Sequence, residues 1–165
     1  MKQYFSFKAI LFLWISSYAT AVGGYFLLNL ILDDWPVFGR WFRMFLYHEQ
    51  HPLLYIAIPC FFYGLIGSFF LERFLKQKLP GQIVSSILIA LLSLMLATPL
   101  GSLLWVYHDM QAGYFPANWF EQLFSRGFDL GFTFGWLIVL FSFPYNLLGL
   151  VVSHFLNLFT AERFY

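Results

Sequence analysis

Four long apolar stretches constrain this chain more than any other feature of its sequence. They span residues 9–32, 53–71, 83–106 and 128–152. Each contains 19 to 25 residues, and about 20 residues in a helix cross a hydrocarbon core of roughly 30 Å. Because backbone groups in lipid must be hydrogen-bonded within their own segment, each stretch is expected to be a helix. The sequence therefore predicts an all-α integral membrane protein with four transmembrane helices, forming a single membrane domain over residues 1–165.

Charged residues are too scarce for a water-soluble fold. They make up 10% of the 165 residues, whereas 61% are hydrophobic and the mean hydropathy is +0.72. A soluble domain carries roughly 25% charged residues. The four stretches contain no Lys or Arg, and Asp129 is their one acidic residue. With a net charge of +1 and no soluble domain in the sequence, neither nucleic-acid binding nor a cytoplasmic enzyme is expected, and the first predicted partner is the lipid bilayer.

The beginning of the chain also has features of a secretory signal peptide. A basic segment and an apolar run precede Ala19-Thr20-Ala21, which matches a small-x-small cleavage site. The apolar run continues to Leu32, however, and the Ala-Thr pair recurs in the third stretch, where no cleavage is expected. We therefore predict an uncleaved first helix.

Basic residues are distributed unequally between the two sides of the predicted bundle. The side with both termini and the middle loop has six, and the other side has three. The six are Lys2, Lys8, Arg73, Lys76, Lys78 and Arg163. The three on the other side are Arg40, Arg43 and Arg126. Because cytoplasmic loops carry the excess of Lys and Arg, both termini are predicted to be cytoplasmic, with the protein in the plasma membrane (in a bacterium, the inner membrane).

Short strings recur along the chain in the same order. Residues 19–24 return at 97–102, Trp41-Phe42 returns as Trp119-Phe120, and residues 61–67 return at 143–149. This self-similarity predicts two tandem repeats, about residues 9–75 and 83–157. Each repeat is predicted to consist of a membrane helix, an amphipathic helix in the membrane interface and a second membrane helix. The interfacial anchors are Trp41, Phe42, Trp119 and Phe120, which lie on the aromatic faces of those helices.

Small residues at four-residue intervals indicate where helices approach each other closely. The step shared by the repeats, Ala-Thr-x-x-Gly, predicts packing of the first helix against the third. Cys60, Gly64 and Ser68 form such a stripe in the second helix. The stripe in the fourth stretch is Gly127, Gly131 and Gly135. These stripes either pack the four helices together or, for the fourth stretch, form the contact with another subunit.

Histidines and acidic residues gather on the predicted outer face. His48 and His51 close the first outer loop, and His108 and Asp109 open the second. If the repeats bring the loops together, these four side chains form a candidate site for a divalent metal. The alternative is a set of solvated polar residues at the membrane edge. No cofactor is otherwise implied.

Four spans with outer-face aspartates resemble the topology of the lipoprotein signal peptidases, which use an aspartate pair. That resemblance would make Asp109 and Asp129 the catalytic pair. The Asn- and Asp-containing signatures of that family are missing around both residues.

The predicted function follows from the apolar composition, which leaves few polar groups for chemistry. We expect a non-enzymatic auxiliary, assembly, regulatory or immunity subunit that packs its helices against another membrane protein. A small transporter or pore formed by a homo-oligomer is the second possibility, and an outer-face metal or carboxylate enzyme is the third. Residues 153–165 are expected to form a cytoplasmic helix lying on the membrane surface.

Overall fold

The computed structural model describes residues 6–32, 52–113 and 145–165, together with six positions between the last two ranges: 121, 125, 128, 129, 132 and 133. Nearly all of these residues are helical, and the described part of the chain contains no strand. The long helices are α1 (Phe7–Leu32), α2 (Pro52–Phe74), α3 (Leu79–Gln111) and α4 (Tyr145–Phe164). The all-helical fold class is therefore confirmed.

Three of these helices are long and apolar enough to cross a membrane. The spans are Phe7–Leu27, Leu53–Phe74 and Leu79–Gln111, and they coincide with the first three apolar stretches. Most of the fourth predicted span, 128–152, lies outside the described residues, and α4 contains its last eight positions. The described part of the chain is thus all-helical, and its three long apolar helices indicate a membrane protein.

Helices α1 and α2 approach each other at two glycines. A Cβ atom on Gly64 would lie 2.9 Å from the backbone oxygen of Ile10 and 3.1 Å from the backbone nitrogen of Trp14. A Cβ on Gly67 would lie 2.7 Å from Leu13 Cδ1. The backbones of α1 and α2 therefore meet at Gly64, and the Leu13 side chain packs directly on Gly67. The predicted small-residue stripe of the second helix is a helix contact, with Cys60 and Ser68 also buried.

The end of α2, the beginning of α3 and the end of α4 come together at one end of the bundle. Fully buried side chains, Leu71 and Phe74 among them, form the core there together with Leu13 and Ala161. A tight loop joins α2 to α3, in which Gln77 N donates to Phe74 O at 3.1 Å. We call this the basic end, because it carries Lys8, Arg73, Lys76, Lys78 and Arg163; the opposite end is the far end.

The last turn of α4 also contacts the beginning of α1 at the basic end. The rings of Phe12 and Phe164 are 5.6 Å apart, and the Arg163 guanidinium lies 5.8 Å from the Phe12 ring centroid. Tyr165 donates its hydroxyl to Ser68 O at 3.3 Å. Partial burial raises the pKa of the Tyr165 hydroxyl. The contacts fix both ends of the described chain to the same end of the bundle.

The prediction that the shared Ala-Thr-x-x-Gly step packs α1 against α3 is wrong. A Cβ on Gly23, Gly24 or Gly101 would meet no atom of the described residues within 4 Å. The main neighbours of α1 and of α3 are α2 and α4 instead. Helices that follow each other in the chain usually lie side by side, and α2 accordingly packs against both α1 and α3.

Candidate functional site

The most extensive polar cluster in the described bundle joins α2 to α4 through Tyr63. Its hydroxyl donates to Asn157 Oδ1 at 2.8 Å. The same hydroxyl lies 2.9 Å from Ser153 Oγ and 3.0 Å from Ser153 O. A tyrosine hydroxyl has one proton and can also accept, so donation to Asn157 leaves its lone pairs for the Ser153 hydroxyl. All three residues are buried.

The cluster continues from α4 to α3 through Ser86. Asn157 Nδ2 donates to Ser86 Oγ at 3.4 Å, and Ser86 Oγ lies 3.3 Å from His154 Nδ1. Because Ser86 accepts from the amide, its own proton is available for the histidine nitrogen. The His154 ring lies 5.9 Å from the ring of Phe74. We call these five residues (Tyr63, Ser86, Ser153, His154 and Asn157) the polar clamp, since they connect three helices.

The polar clamp exists because α4 presents its polar face to the bundle. Ser153, Asn157 and Thr160 recur at intervals of four and three residues, which places them on one side of a helix, and all three are buried. On the opposite side, Phe155 and Phe159 are 63% and 51% exposed. The prediction that this segment (residues 153–165) is helical is confirmed, and its predicted place on the membrane surface stays a prediction, although its polar face packs against the bundle. A helix with buried polar and exposed apolar faces suits a lipid environment rather than a water interface.

The clamp lies inside the bundle and not at its rim. Ser86 comes seven residues after the start of α3, and Asn157 seven residues before the end of α4, which corresponds to about 10 Å of helix. Side-chain hydrogen bonds between membrane helices contribute roughly 0.6–2 kcal/mol each. The clamp is thus a specific element of helix packing in a bundle whose other contacts are largely apolar.

The chemistry of the clamp favours fixed positioning over proton transfer. Tyr63 and Ser86 both bond to the amide of Asn157, and an amide neither gains nor loses a proton at neutral pH. The clamp contains no carboxylate, lysine or thiol, and its one imidazole, His154, contacts Ser86 rather than Tyr63 or Asn157. Its hydroxyl and amide donors are directed at one another, so the group holds α2, α3 and α4 in one arrangement.

Of the four predicted metal ligands, the structure describes His108 and Asp109. His108 is 7% exposed, and its ring lies 6.4 Å from the ring of Tyr55 and 5.9 Å from that of Tyr107. His48 and His51 lie outside the described residues. Within the described ranges, no three His, Cys, Asp or Glu side chains are grouped so that they could hold a metal. The four-ligand site therefore stays a prediction.

The other predicted site residues fall almost wholly outside the described part of the chain. This applies to Gly127, Gly131 and Gly135, and to Trp41, Phe42, Trp119 and Phe120. Asp129, the partner proposed for Asp109, is described as an exposed helical residue that accepts from Thr133 Oγ1 at 3.4 Å. Its distance from Asp109 stays untested.

A second notable surface lies on α1, toward the far end. Ala19, Thr20 and Gly23 are exposed, and the Thr20 hydroxyl donates to the carbonyl of Ser16 at 2.7 Å. Its hydrogen-bonding capacity is therefore used within its own helix. We call Ser16, Thr20, Gly23, Gly24 and Leu27 the α1 stripe, since these positions lie on one side of the helix.

Sequence reasoning did not identify the polar clamp. The detectable signal was the spacing of Ser153, Asn157 and Thr160, which is helical, but this spacing alone does not say whether the polar face is turned toward water or protein. Tyr63 and Ser86 gave no signal, because single hydroxyl residues are ordinary in membrane helices. Comparison with known proteins produced no match to a family model, to a curated protein or to a solved structure.

Proposed function

We propose that this chain is a non-enzymatic membrane subunit that acts by packing its helices against another membrane protein. Its role is auxiliary: assembly or regulation of that partner, or immunity against a membrane-acting toxin. The partner is bound within the bilayer, through helix faces. The observation that carries the proposal is the pair of glycines in the α1 stripe.

Gly23 and Gly24 lie in the interior of α1, where they lower the stability of the helix. Each glycine is about 1 kcal/mol less favourable than alanine at such a position. At Gly64 the bundle itself uses the missing side chain, but a Cβ on Gly23 or Gly24 would meet nothing within 4 Å in the part of the chain that the structure describes. In lipid, close approach of another helix at small residues is the main source of attraction between helices. A partner helix on the α1 stripe gives these glycines a function.

The polar clamp supports a packing role over a transport role. Tyr63, Ser86, Ser153 and Asn157 carry hydroxyl and amide groups that bond to one another, whereas transport pathways are usually marked by charged residues in the membrane. The clamp instead keeps α2, α3 and α4 in register, which leaves the outward faces as the surfaces for recognition.

We further propose the complete topology: four spans built as two tandem repeats, both termini in the cytoplasm and the protein in the plasma membrane. The orientation of α4 supports the fourth span, because exposed Phe155 and Phe159 suit lipid. The contacts of Phe164 and Arg163 with Phe12 support an even number of spans, since they keep both ends on one side. The excess of basic residues at that end supports its cytoplasmic location.

The test is purification of the tagged chain from its native membrane in a mild detergent, with Gly23→Leu as the variant. We expect a stoichiometric membrane protein to copurify with the wild type and to be lost with Gly23→Leu, since leucine holds the helices apart. The variant chain should itself remain folded and be at least as stable as the wild type, because the position is open and leucine is the better helix former.

Ala21→Leu is the matched control, because Ala21 is also exposed on α1 but lies on the opposite side of the helix from Gly23. It should retain the partner. A purified chain that forms only a homo-oligomer, unaffected by Gly23→Leu, would contradict the proposal and favour the transporter or pore. A bound metal in that preparation would favour the enzyme.

A further inference from the structure

The basic end of the bundle carries two cations at the boundary between α1 and α4. Lys8 lies in the first turn of α1 and Arg163 in the last turn of α4, and both residues are exposed. The Arg163 guanidinium lies 5.8 Å from the centroid of the Phe12 ring. Phe12 follows Lys8 by four residues, which places the two on the same side of α1. One side of this boundary therefore has a basic residue from each helix.

Aromatic rings lie one helical turn further into the bundle than the two cations. Phe159 precedes Arg163 by four residues on α4, and its ring lies 5.8 Å from that of Phe12. The two helices run antiparallel, since α1 begins and α4 ends at the basic end. The cations thus form one layer and the two rings the next, about 6 Å deeper. Phe159 and Phe155 are both more than half exposed, so this side of the boundary is open to lipid.

The layer of cations lies where the hydrocarbon core meets the lipid headgroups. Lys8 is the second residue of the span Phe7–Leu27, and Arg163 lies in the same layer. Basic side chains at the end of a membrane helix extend toward the headgroups, where the phosphates are. One and two turns deeper, Phe159 and Phe155 lie at the level of the acyl chains. The charged and apolar parts of the site therefore follow the order of a phospholipid.

The charges of the two cations are available for a ligand. The ion pair that the described residues form at the basic end joins Lys76 Nζ to Glu72 Oε1 at 3.2 Å and includes neither cation. The contact of Arg163 with the Phe12 ring uses none of the five N–H donors of the guanidinium, whose geometry matches phosphate oxygens. Glu162 lies about 100° around α4 from Arg163. It is therefore further from α1 than Arg163, which contacts Phe12.

The charge balance at this end favours a headgroup with a net negative charge. The basic end has five basic residues, and the acidic residues described there are Glu72 and Glu162. Phosphatidylcholine carries an ammonium group beside its phosphate and is neutral as a whole, whereas phosphatidylglycerol carries the phosphate alone. An ammonium group is repelled by the surplus of positive charge. The complementary ligand is therefore an anionic phospholipid.

We propose that Lys8 and Arg163 form a binding site for an anionic phospholipid of the leaflet at the basic end. Arg163 binds two phosphate oxygens through its parallel N–H groups, and Lys8 adds the second positive charge. The acyl chains lie along Phe159 and Phe155, so that one lipid joins the first turn of α1 to the last turn of α4. The α1 stripe and the polar clamp take no part in this site, so lipid binding and partner binding are independent properties.

The test is native mass spectrometry of the full-length protein in detergent, titrated with dioleoyl-phosphatidylglycerol or with dioleoyl-phosphatidylcholine. The measured quantity is the dissociation constant of the first bound lipid. We expect the wild type to bind phosphatidylglycerol at least about fivefold more tightly than phosphatidylcholine. Lys8→Gln and Arg163→Gln should each weaken phosphatidylglycerol binding by about fivefold, because each removes one basic residue from the headgroup level.

The matched control is the double variant Arg73→Gln with Lys78→Gln, to be compared with Lys8→Gln combined with Arg163→Gln. Arg73 and Lys78 are also exposed at the basic end, but they lie at the end of α2 and directly before α3. The control removes the same charge and should keep the phosphatidylglycerol affinity within about twofold of the wild type. Equal losses in the two double variants would overturn the proposal, because binding would then reflect the charge of the whole end.

The single variant Lys8→Gln decides the question even if Arg163→Gln does not fold, since Lys8 is exposed in the first turn of α1. Equal wild-type affinities for the two lipids would overturn the proposal as well. Glycerophosphoglycerol has the same headgroup without acyl chains and should not displace the lipid at equal concentration. Displacement would assign the two cations to a soluble phosphodiester and not to a lipid.

Discussion

Tyr63 is the residue at which α2 and α4 are connected. Its hydroxyl contacts both Ser153 and Asn157 at 3.0 Å or less, 90 and 94 positions away in sequence. The aromatic ring carries this hydroxyl across the interface between the two helices. The α2–α4 contact therefore includes a buried hydrogen bond beside the apolar packing of Phe74 and Ala161.

Tyr63→Phe should lower the free energy of unfolding by about 1–3 kcal/mol. The substitution keeps the ring but leaves the buried oxygens of Asn157 and Ser153 without their partner. The measurement is an SDS unfolding titration of the purified protein. Tyr107→Phe is the control, because it removes an equivalent hydroxyl from an exposed pair and should change the value by less than about 0.5 kcal/mol.

A double-mutant cycle tests whether Tyr63 and Asn157 act as a unit. Asn157→Leu removes the amide from the clamp, and this single substitution should destabilise the protein. Combined with Tyr63→Phe, the loss should be smaller than the sum of the single losses by roughly 0.6–2 kcal/mol. Strict additivity would mean that the two residues do not interact in the folded membrane protein.

At the level of the helices, glycine has two opposite roles in this chain. Gly64 lies where α1 and α2 touch, with backbone atoms of Ile10 and Trp14 at about 3 Å from its missing Cβ. Gly101, in α3, has open space at the same position. The two residues are chemically identical, and only their surroundings distinguish a packing glycine from a destabilising one.

Gly64→Ala and Gly101→Ala are therefore expected to change stability in opposite directions. Gly64→Ala should destabilise by about 1–3 kcal/mol, because backbone atoms cannot move aside cheaply. Gly101→Ala should stabilise by about 0.5–1 kcal/mol through the better helix propensity of alanine. Both values come from the same SDS titration. Destabilisation by Gly101→Ala would show that this position is packed.

For the whole molecule, the location of the two ends follows from contacts at the basic end. Because Cys60 is the single cysteine and is buried, a Cys60→Ala background permits labelling at chosen positions. Lys76→Cys, Ala112→Cys and Glu162→Cys probe the α2–α3 loop, the end of α3 and the end of α4. All three original residues are exposed.

In intact cells, a membrane-impermeant maleimide should label position 112 and leave positions 76 and 162 unlabelled. After permeabilisation, all three should react. This result follows if four spans place the loop and both termini in the cytoplasm. If positions 112 and 162 are both labelled in intact cells and position 76 is not, the chain crosses the membrane three times. That result would refute the proposed topology.

The sequence by itself determined the fold class and the first three spans. A helix in lipid is specified locally, because hydrogen bonds within the segment satisfy its backbone and about 20 apolar residues suffice for its length. The stripe of Cys60, Gly64 and Ser68 was also recognisable, since small residues at this spacing allow close contact.

Only the tertiary structure decided which faces meet. Gly64 is packed while Gly23 and Gly101 are open, and Asn157 is turned inward while Phe159 is turned outward. Helix periodicity places residues on a common face but does not say what that face contacts. In lipid the apolar surface of a helix gains little by burial, so small residues and hydrogen bonds such as Tyr63 to Asn157 determine the packing. Such bonds join residues far apart in sequence, and they exist only once the helices are assembled.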